Sequence, residues 1–328
     1  MKDFIMTSLK AADGTNVQKV TIANGPSRAQ LMSYGATLTE FRLDGIAYSL
    51  ALGSPDLESY KGKMQYFGAI VGPIANRVAQ GKALLDGQSL QLAVNENGNA
   101  LHGGLEGISQ KNWQVKELEH NWVTFSVETS DGESGLPGPL EIMVSYSIQN
   151  DGALKIEVSA KSEKPTFCNP AFHGYWCLNG EGLSGHKLMI HADHFLPTNK
   201  ALIPTGQIQS VEGTPYDLRQ PRDVPTEISL DTNFCLNGSG LREVARLATD
   251  ELAMIVETDA PGLQVYDAAR LDTSPVIGHC GKPYFRHAGI AMEPQVWPDA
   301  PNQPSFPSIA LRPGERFSQT SFFRFILK

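Results

Sequence analysis

Short segments in which apolar and polar residues alternate with a period of two, separated by Gly and Pro, narrow what this chain can fold into more than any other feature. Successive side chains of a strand point to opposite faces, so the pattern describes strands with one buried face. It recurs at 123–129, 140–148, 154–160, 188–192, 253–257 and 317–325. Asp86-Gly87 and Asp151-Gly152 stand between such runs and read as hairpin turns in which Gly supplies a positive φ. The 31 Gly and 21 Pro are spread along the chain, and helix interiors tolerate neither well. No amphipathic stretch exceeds about three helical turns. No linker-like segment or internal repeat divides the 328 residues, so the expectation is an all-β fold, one large antiparallel domain spanning 1–328.

Charge excludes some functions. The 27 basic and 35 acidic residues give a net charge of −8 with no basic stripe, which argues against a nucleic-acid partner. No run of about 18 apolar residues is present, so no membrane span is expected. Residues 1–14 hold only a broken apolar stretch between Lys2 and Lys10, unlike a signal peptide, and the expected location is the cytoplasm. Cys168, Cys177, Cys235 and Cys280 lack Cys-x-x-Cys spacing and fit a reducing compartment. Without a secretory route, the sequon Asn237-Gly238-Ser239 reads as chance.

Four polar clusters stand among Gly, Pro and aromatic residues: Ala75-Asn76-Arg77, Asn99-Ala100-Leu101-His102-Gly103-Gly104, Phe172-His173-Gly174-Tyr175-Trp176 and Met292-Glu293-Pro294-Gln295-Val296-Trp297. Taken singly, none is specific. Arg77 could pair with a nearby acid, Asp231 could cap a turn, and Glu293 before a proline could sit on a surface loop.

In combination and order, these clusters resemble the aldose 1-epimerases, or galactose mutarotases. The similarity runs from Ser33-Tyr34-Gly35-Ala36-Thr37 through Asn76-Arg77, Leu85-Asp86-Gly87 and Leu101-His102-Gly103-Gly104. It continues through His173-Gly174-Tyr175, Leu202-Ile203-Pro204-Thr205-Gly206, Asp231-Thr232-Asn233-Phe234 and Gln264-Val265-Tyr266. Glu293-Pro294-Gln295, Trp297-Pro298-Asp299-Ala300 and Leu311-Arg312-Pro313-Gly314-Glu315 complete it. The resemblance implies a large twisted β-sandwich with a sugar cleft on one face. It also implies that Glu293 is the catalytic base and His173 the catalytic acid, and that Asn76, Arg77, His102, Tyr175, Asp231 and Gln264 hold the sugar. The implied activity is interconversion of the α and β anomers of a free hexose or pentose by a monomer or homodimer, with no cofactor and no metal.

Elementary chemistry agrees with those residue types. Anomers exchange when the O1 hydroxyl loses a proton, the ring oxygen O5 gains one and the C1–O5 bond breaks; rotation about C1–C2 and reclosure then give the other anomer. A carboxylate and an imidazolium supply the base and the acid, each worth about 10²–10⁴-fold. Reference pKa values of about 4.3 and 6.5 lead one to expect an ionised Glu293 and a partly protonated His173, with only modest tuning needed.

Two other patterns are set aside. Gly180-Glu181-Gly182-Leu183-Ser184-Gly185 fits G-x-G-x-x-G, but a strand-like run follows it where a dinucleotide site needs a helix N-terminus. His186, His191 and His194 beside Asp193 lack metal-motif spacing. Where the chain departs from the family, Arg270 stands where an aromatic against the sugar is expected, Gly174 follows His173, and Trp176 replaces Phe. Arg270 keeps two alternatives open: a mutarotase for acidic or phosphorylated sugars, or a guanidinium paired with Asp267 or Asp272 and turned away. A non-catalytic carbohydrate-binding protein is the remaining alternative, and retention of both Glu293 and His173 argues against it.

Overall fold

The computed structural model describes residues 5–328, and its regular structure is almost wholly extended. The longest helix among the described residues is the 3-10 turn Leu57–Lys61, and none is long and apolar enough to cross a membrane. The alternating segments become strands Trp122–Thr129, Leu140–Ile148, Leu154–Ser162, Leu252–Thr258 and Phe317–Leu327, all in one nine-stranded antiparallel sheet. Along Leu140–Ile148 every second residue is buried, as a period of two requires. The run at 188–192 is a strand only over Lys187–Ile190. The Ala192 N–H turns back onto the Ile190 carbonyl and ends the extended run.

Both proposed hairpin turns are present. Asp86 (φ 51°) and Gly87 (φ 82°) join Lys82–Leu85 to Gln88–Gln91, the double left-handed geometry of a two-residue hairpin. Asp151-Gly152 links Leu140–Ile148 to Leu154–Ser162, with the Asp151 carboxylate accepting the Ala153 N–H at 3.1 Å.

A four-stranded sheet, Ile5–Lys10 to Thr37–Leu43, and a six-stranded sheet pack with the nine-stranded one around a common core. Phe41 comes from the first, Phe125, Val144, Met254 and Phe323 from the nine-stranded sheet, and Trp176, Phe234, Val265 and Met292 from the six-stranded sheet. Phe323 lies 5.0 Å from Trp176 between ring centroids, an aromatic contact that ties the two larger sheets together, and 5.6 Å from Phe172 of the short strand Ala171–Phe172.

The six-stranded sheet positions the site. Its order is Tyr175–Trp176, Ile290–Gln295, Gly262–Tyr266, Asp231–Cys235, His194–Phe195 and Gln209–Ser210. Because Trp176, Met292, Val265 and Phe234 point into the core, alternation turns their neighbours to the opposite face. Register then lines those neighbours up in two rows, Asn233, Gln264 and Glu293 in one, and Asp231, Tyr266, Ala291 and Tyr175 in the other.

Candidate active site

Loops complete what these rows begin. Asn76 has φ 61°, after which Arg77–Val78 pairs with Ala100–Leu101 and delivers His102 (φ 52°) beside it. The turn continues through Gly103 at φ 89°, where a Cβ would lie 2.0 Å from the Gly72 carbonyl oxygen, so only glycine fits. His173 follows the short strand Ala171–Phe172, which pairs with Ile70–Val71. Its backbone N–H donates to Ala69 and its carbonyl accepts from Gly68. Gly174 has a packing reason as well: a Cβ there would sit 2.3 Å from the Phe172 ring.

Glu293 and His173 meet, with Glu293 Oε1 3.5 Å from His173 Nε2 and both side chains buried. Glu293 Oε2 and His173 Nδ1 have no hydrogen-bond partner among the described residues. His102 packs edge-on to His173 at 5.2 Å, and its Nδ1 accepts the Asn76 backbone N–H at 3.1 Å. That bond assigns the ring proton of His102 to Nε2, making this nitrogen a donor. Asn76 Oδ1 accepts the Arg77 backbone N–H at 2.8 Å, so Asn76, Arg77 and His102 form one hydrogen-bonded unit. Across the cleft, Gln264 Nε2 donates to Asp231 Oδ1 at 2.7 Å. Tyr175 is buried beside His173, with 5.1 Å between ring centroids. All eight residues singled out in the sequence therefore gather in one region of the fold; Asp231, partly exposed, is the least enclosed.

Burial overturns the expectation of near-reference protonation. It pushes Glu293 well above its ordinary value, with the Asp231 carboxylate adding to the rise and Arg77 opposing it. It lowers His173 to about 4, and lowers His102 well below its usual range with help from His173 and Arg77. Asp231 is also raised by burial, against the pull of Arg77 and the Gln264 amide. Desolvation disfavours the charged form of each group and here exceeds any single opposing partner. Arg77 differs: burial alone would depress it, but the Glu96 carboxylate and the charges of Asp231 and Glu293 outweigh that and raise it.

Three neighbours had not been singled out. Glu96 grips Arg77 bidentately, accepting from Nε at 2.9 Å and from Nη2 at 2.7 Å, which fixes the plane of the guanidinium. Tyr66 covers His102 and His173, at 4.7 and 6.0 Å between centroids. Tyr266 forms the wall beside Tyr175. Glu96 lies three residues before the polar cluster that begins at Asn99, its only signal in the sequence; Tyr66 has none.

His102, His173 and Glu293 place one ligand atom each within 4.8 Å of one another, a set that could converge on a cation. The Asn76 N–H on His102 Nδ1 opposes this, because ligation through Nε2 would require a proton on Nδ1 facing another N–H. Elsewhere, His186 Nε2 accepts the Leu178 backbone N–H at 2.9 Å, an ordinary structural role. In the Gly-rich run 180–185 three consecutive amides are spent: Glu181 N–H donates to Asn179, Gly182 N–H to Cys177 Sγ and Leu183 N–H to the His287 carbonyl. It leads into the strand Lys187–Ile190, so no phosphate cradle forms.

Arg270 pairs with neither acid proposed for it. Asp267 is held by backbone N–H groups, Asp272 accepts the Ser274 N–H, and the Arg270 side chain is exposed. Its charge reaches the carboxylate of Asp231.

Comparison with known proteins places this geometry in context. Residues 18–324 match the family model described as aldose 1-epimerase. The chain is 39% identical to galactose mutarotase of Bos taurus over 324 residues, 94% of each protein. It is 33% identical to aldose 1-epimerase of Escherichia coli K12, with 98% of each covered. Among solved structures, an aldose epimerase homologue from C. elegans superposes with a TM-score of 0.89 at 28% identity, over 94% of this chain and 98% of that one. A galactose 1-epimerase from Lactobacillus acidophilus gives 0.87 at 26% identity, covering 99% of both.

Proposed function

The chain belongs to the aldose 1-epimerase family and is an aldose mutarotase, an isomerase; from that premise we propose that Glu293 and His173 exchange the anomers of a free hexose or pentose as a base and acid pair. The observation that carries the assignment is the 3.5 Å contact between these two buried side chains. O1 and O5 are both bonded to C1, so the groups that exchange protons with them must reach one carbon together, and the short separation of these two supports that role. Glu293 takes the O1 proton, His173 gives one to O5, and the C1–O5 electron pair remains on O5. Rotation about C1–C2 presents the other face of the aldehyde, and closure reverses both transfers. Asp231 and Gln264 accept and donate to ring hydroxyls, His102 Nε2–H and Arg77 donate to oxygens near C1, and Asn76 and Tyr175 complete the wall. Glu96 is a positioning residue for Arg77.

The protonation states fit this chemistry. A carboxylic acid beside a neutral imidazole and a carboxylate beside an imidazolium hold the same single proton. Burial favours the first form in the free site. Sugar hydroxyls donating to Glu293, with Arg77 near, favour the second, which ring opening uses. Activity then needs one proton on the pair. Below the His173 value of about 4 a second proton is bound and the base is lost. Above the raised Glu293 value the last proton leaves and the acid is lost. The pH profile of kcat/KM should therefore have its acid limb near 4 and not at about 6.5, where an exposed His would titrate. Polarimetry across pH 3 to 10, corrected for spontaneous mutarotation, checks this; an acid limb near 6.5 would contradict it.

A second reading concerns the substrate. Arg270 is exposed near Asp231 with no carboxylate partner among the described residues, so its charge is available to an acidic substituent on the sugar. NMR exchange rates for galactose, glucose, arabinose, galacturonate and glucose 6-phosphate test both readings. Acceleration of a neutral sugar supports the first. If the acidic reading holds, Arg270→Ala raises KM about tenfold for charged sugars and leaves neutral ones unchanged; equal effects on both remove it. We place the enzyme in the cytoplasm, as one domain around the shared core and as a monomer or homodimer. Four free cysteines, three of them buried, support a reducing compartment.

A further inference from the structure

Asp267 is a fully buried carboxylate with no place in the chemistry above. The ladder between Asp231–Cys235 and Gly262–Tyr266 ends at the pair Asp231 and Tyr266. One residue further, the Asp267 backbone N–H still donates to the Leu230 carbonyl at 2.9 Å. The chain then turns away through Ala268 at φ 56°, and the Asp267 side chain takes over as acceptor. Oδ2 accepts the Leu230 N–H at 3.0 Å and Oδ1 accepts the Ala269 N–H at 2.9 Å, while His287 Nε2 lies 3.5 Å from Oδ2. A left-handed alanine is uncommon and needs surroundings that hold it. Here the His287 and Leu271 N–H groups bind the Ala268 carbonyl, and the Arg270 N–H donates to Tyr266 Oη at 3.2 Å.

A buried carboxylate is costly to desolvate and is retained where its acceptors are all used. What this one holds is specific: Leu230 immediately precedes Asp231, and the turn it closes carries Arg270. We propose that Asp267 is a positioning residue for sugar binding, clamping the start of the Asp231 strand and the turn bearing Arg270 so that both face the cleft in fixed geometry. It acts through Asp231, so its removal weakens sugar binding without altering the proton transfers.

This inference rests on the reading that Asp231 grips the sugar, and its test is a double-substitution cycle on binding and turnover. Asp267→Asn keeps an oxygen for the Ala269 N–H but loses the acceptor for Leu230. Asp267→Ser is a second, smaller variant with the same loss. For either, KM for galactose should rise about tenfold while kcat stays within about twofold and the pH profile is unmoved. Calorimetric titration of galactose into Glu293→Gln protein should show the same weakening, independent of turnover. In an Asp231→Asn background the added substitution should weaken binding less than about twofold. Equal weakening in both backgrounds, no weakening, or a fall in kcat alone would overturn the proposal. So would failure of both variants to reach a folded state, since Asp267 would then serve the fold alone. If Asp231→Asn itself binds galactose normally, the Asp231 assignment falls and this proposal with it, while wild-type kcat shows whether mutarotation stands.

Discussion

Glu293→Gln should lower kcat for galactose mutarotation by about a thousandfold, with KM changed by less than about threefold. Gln matches Glu in volume and can still accept a hydrogen bond from O1, so the sugar is held nearly as before. It cannot take the proton. A thousandfold loss corresponds to about 4 kcal/mol of activation free energy, the amount a well-placed general base supplies. The fold should survive, because the substitution leaves an uncharged group where burial already favours the uncharged carboxylic acid. Stopped-flow polarimetry on freshly dissolved α-galactose, with the uncatalysed rate subtracted, reads the loss. Retention of more than about a tenth of wild-type kcat would remove Glu293 from the base position.

His173→Asn should cost a similar factor, about 10²–10⁴ in kcat. Asn keeps a polar group near the ring oxygen but has no titratable proton. The variant also leaves Glu293 without its 3.5 Å neighbour, so the acid limb near 4 in the pH profile should vanish together with most of the activity. Persistence of that limb in the residual activity would assign it to another group. Because Tyr66, His102 and Tyr175 pack around the imidazole, a modest fall in thermal stability is expected alongside the kinetic effect.

Much of this architecture could be read from the chain because strands record their environment every second residue. Leu140–Ile148 alternates except at Met143, and the pattern of burial along it alternates throughout. The same periodicity explains why Asp231, Gln264 and Glu293 share a face, although no single segment announces the alignment of their strands. Registry across strands is a tertiary property: Asn233, Gln264 and Glu293 are neighbours through pairing, 29 to 31 residues apart in sequence. What sequence reasoning missed follows from the same limit. Glu96 became visible only once a loop folded it onto Arg77, and Tyr66 only once its ring covered two histidines. Reference pKa values also misled, because they describe groups in water, whereas Glu293 and His173 are enclosed and shift in opposite directions. Both acids that the sequence offers Arg270 are engaged with backbone amides, which only the folded turn shows.

The central claim is that Glu293 and His173 work as one unit on one proton, and the double variant Glu293→Gln/His173→Asn tests it most directly. Residues that act together in a single step lose their joint contribution when either is removed, so their effects do not multiply. Measured by polarimetry on α-galactose, kcat of the double variant should fall within about threefold of the slower single variant. Losses that multiply, with the double variant reduced by the product of the two single factors, would show two independent contributions and contradict a shared acid–base pair.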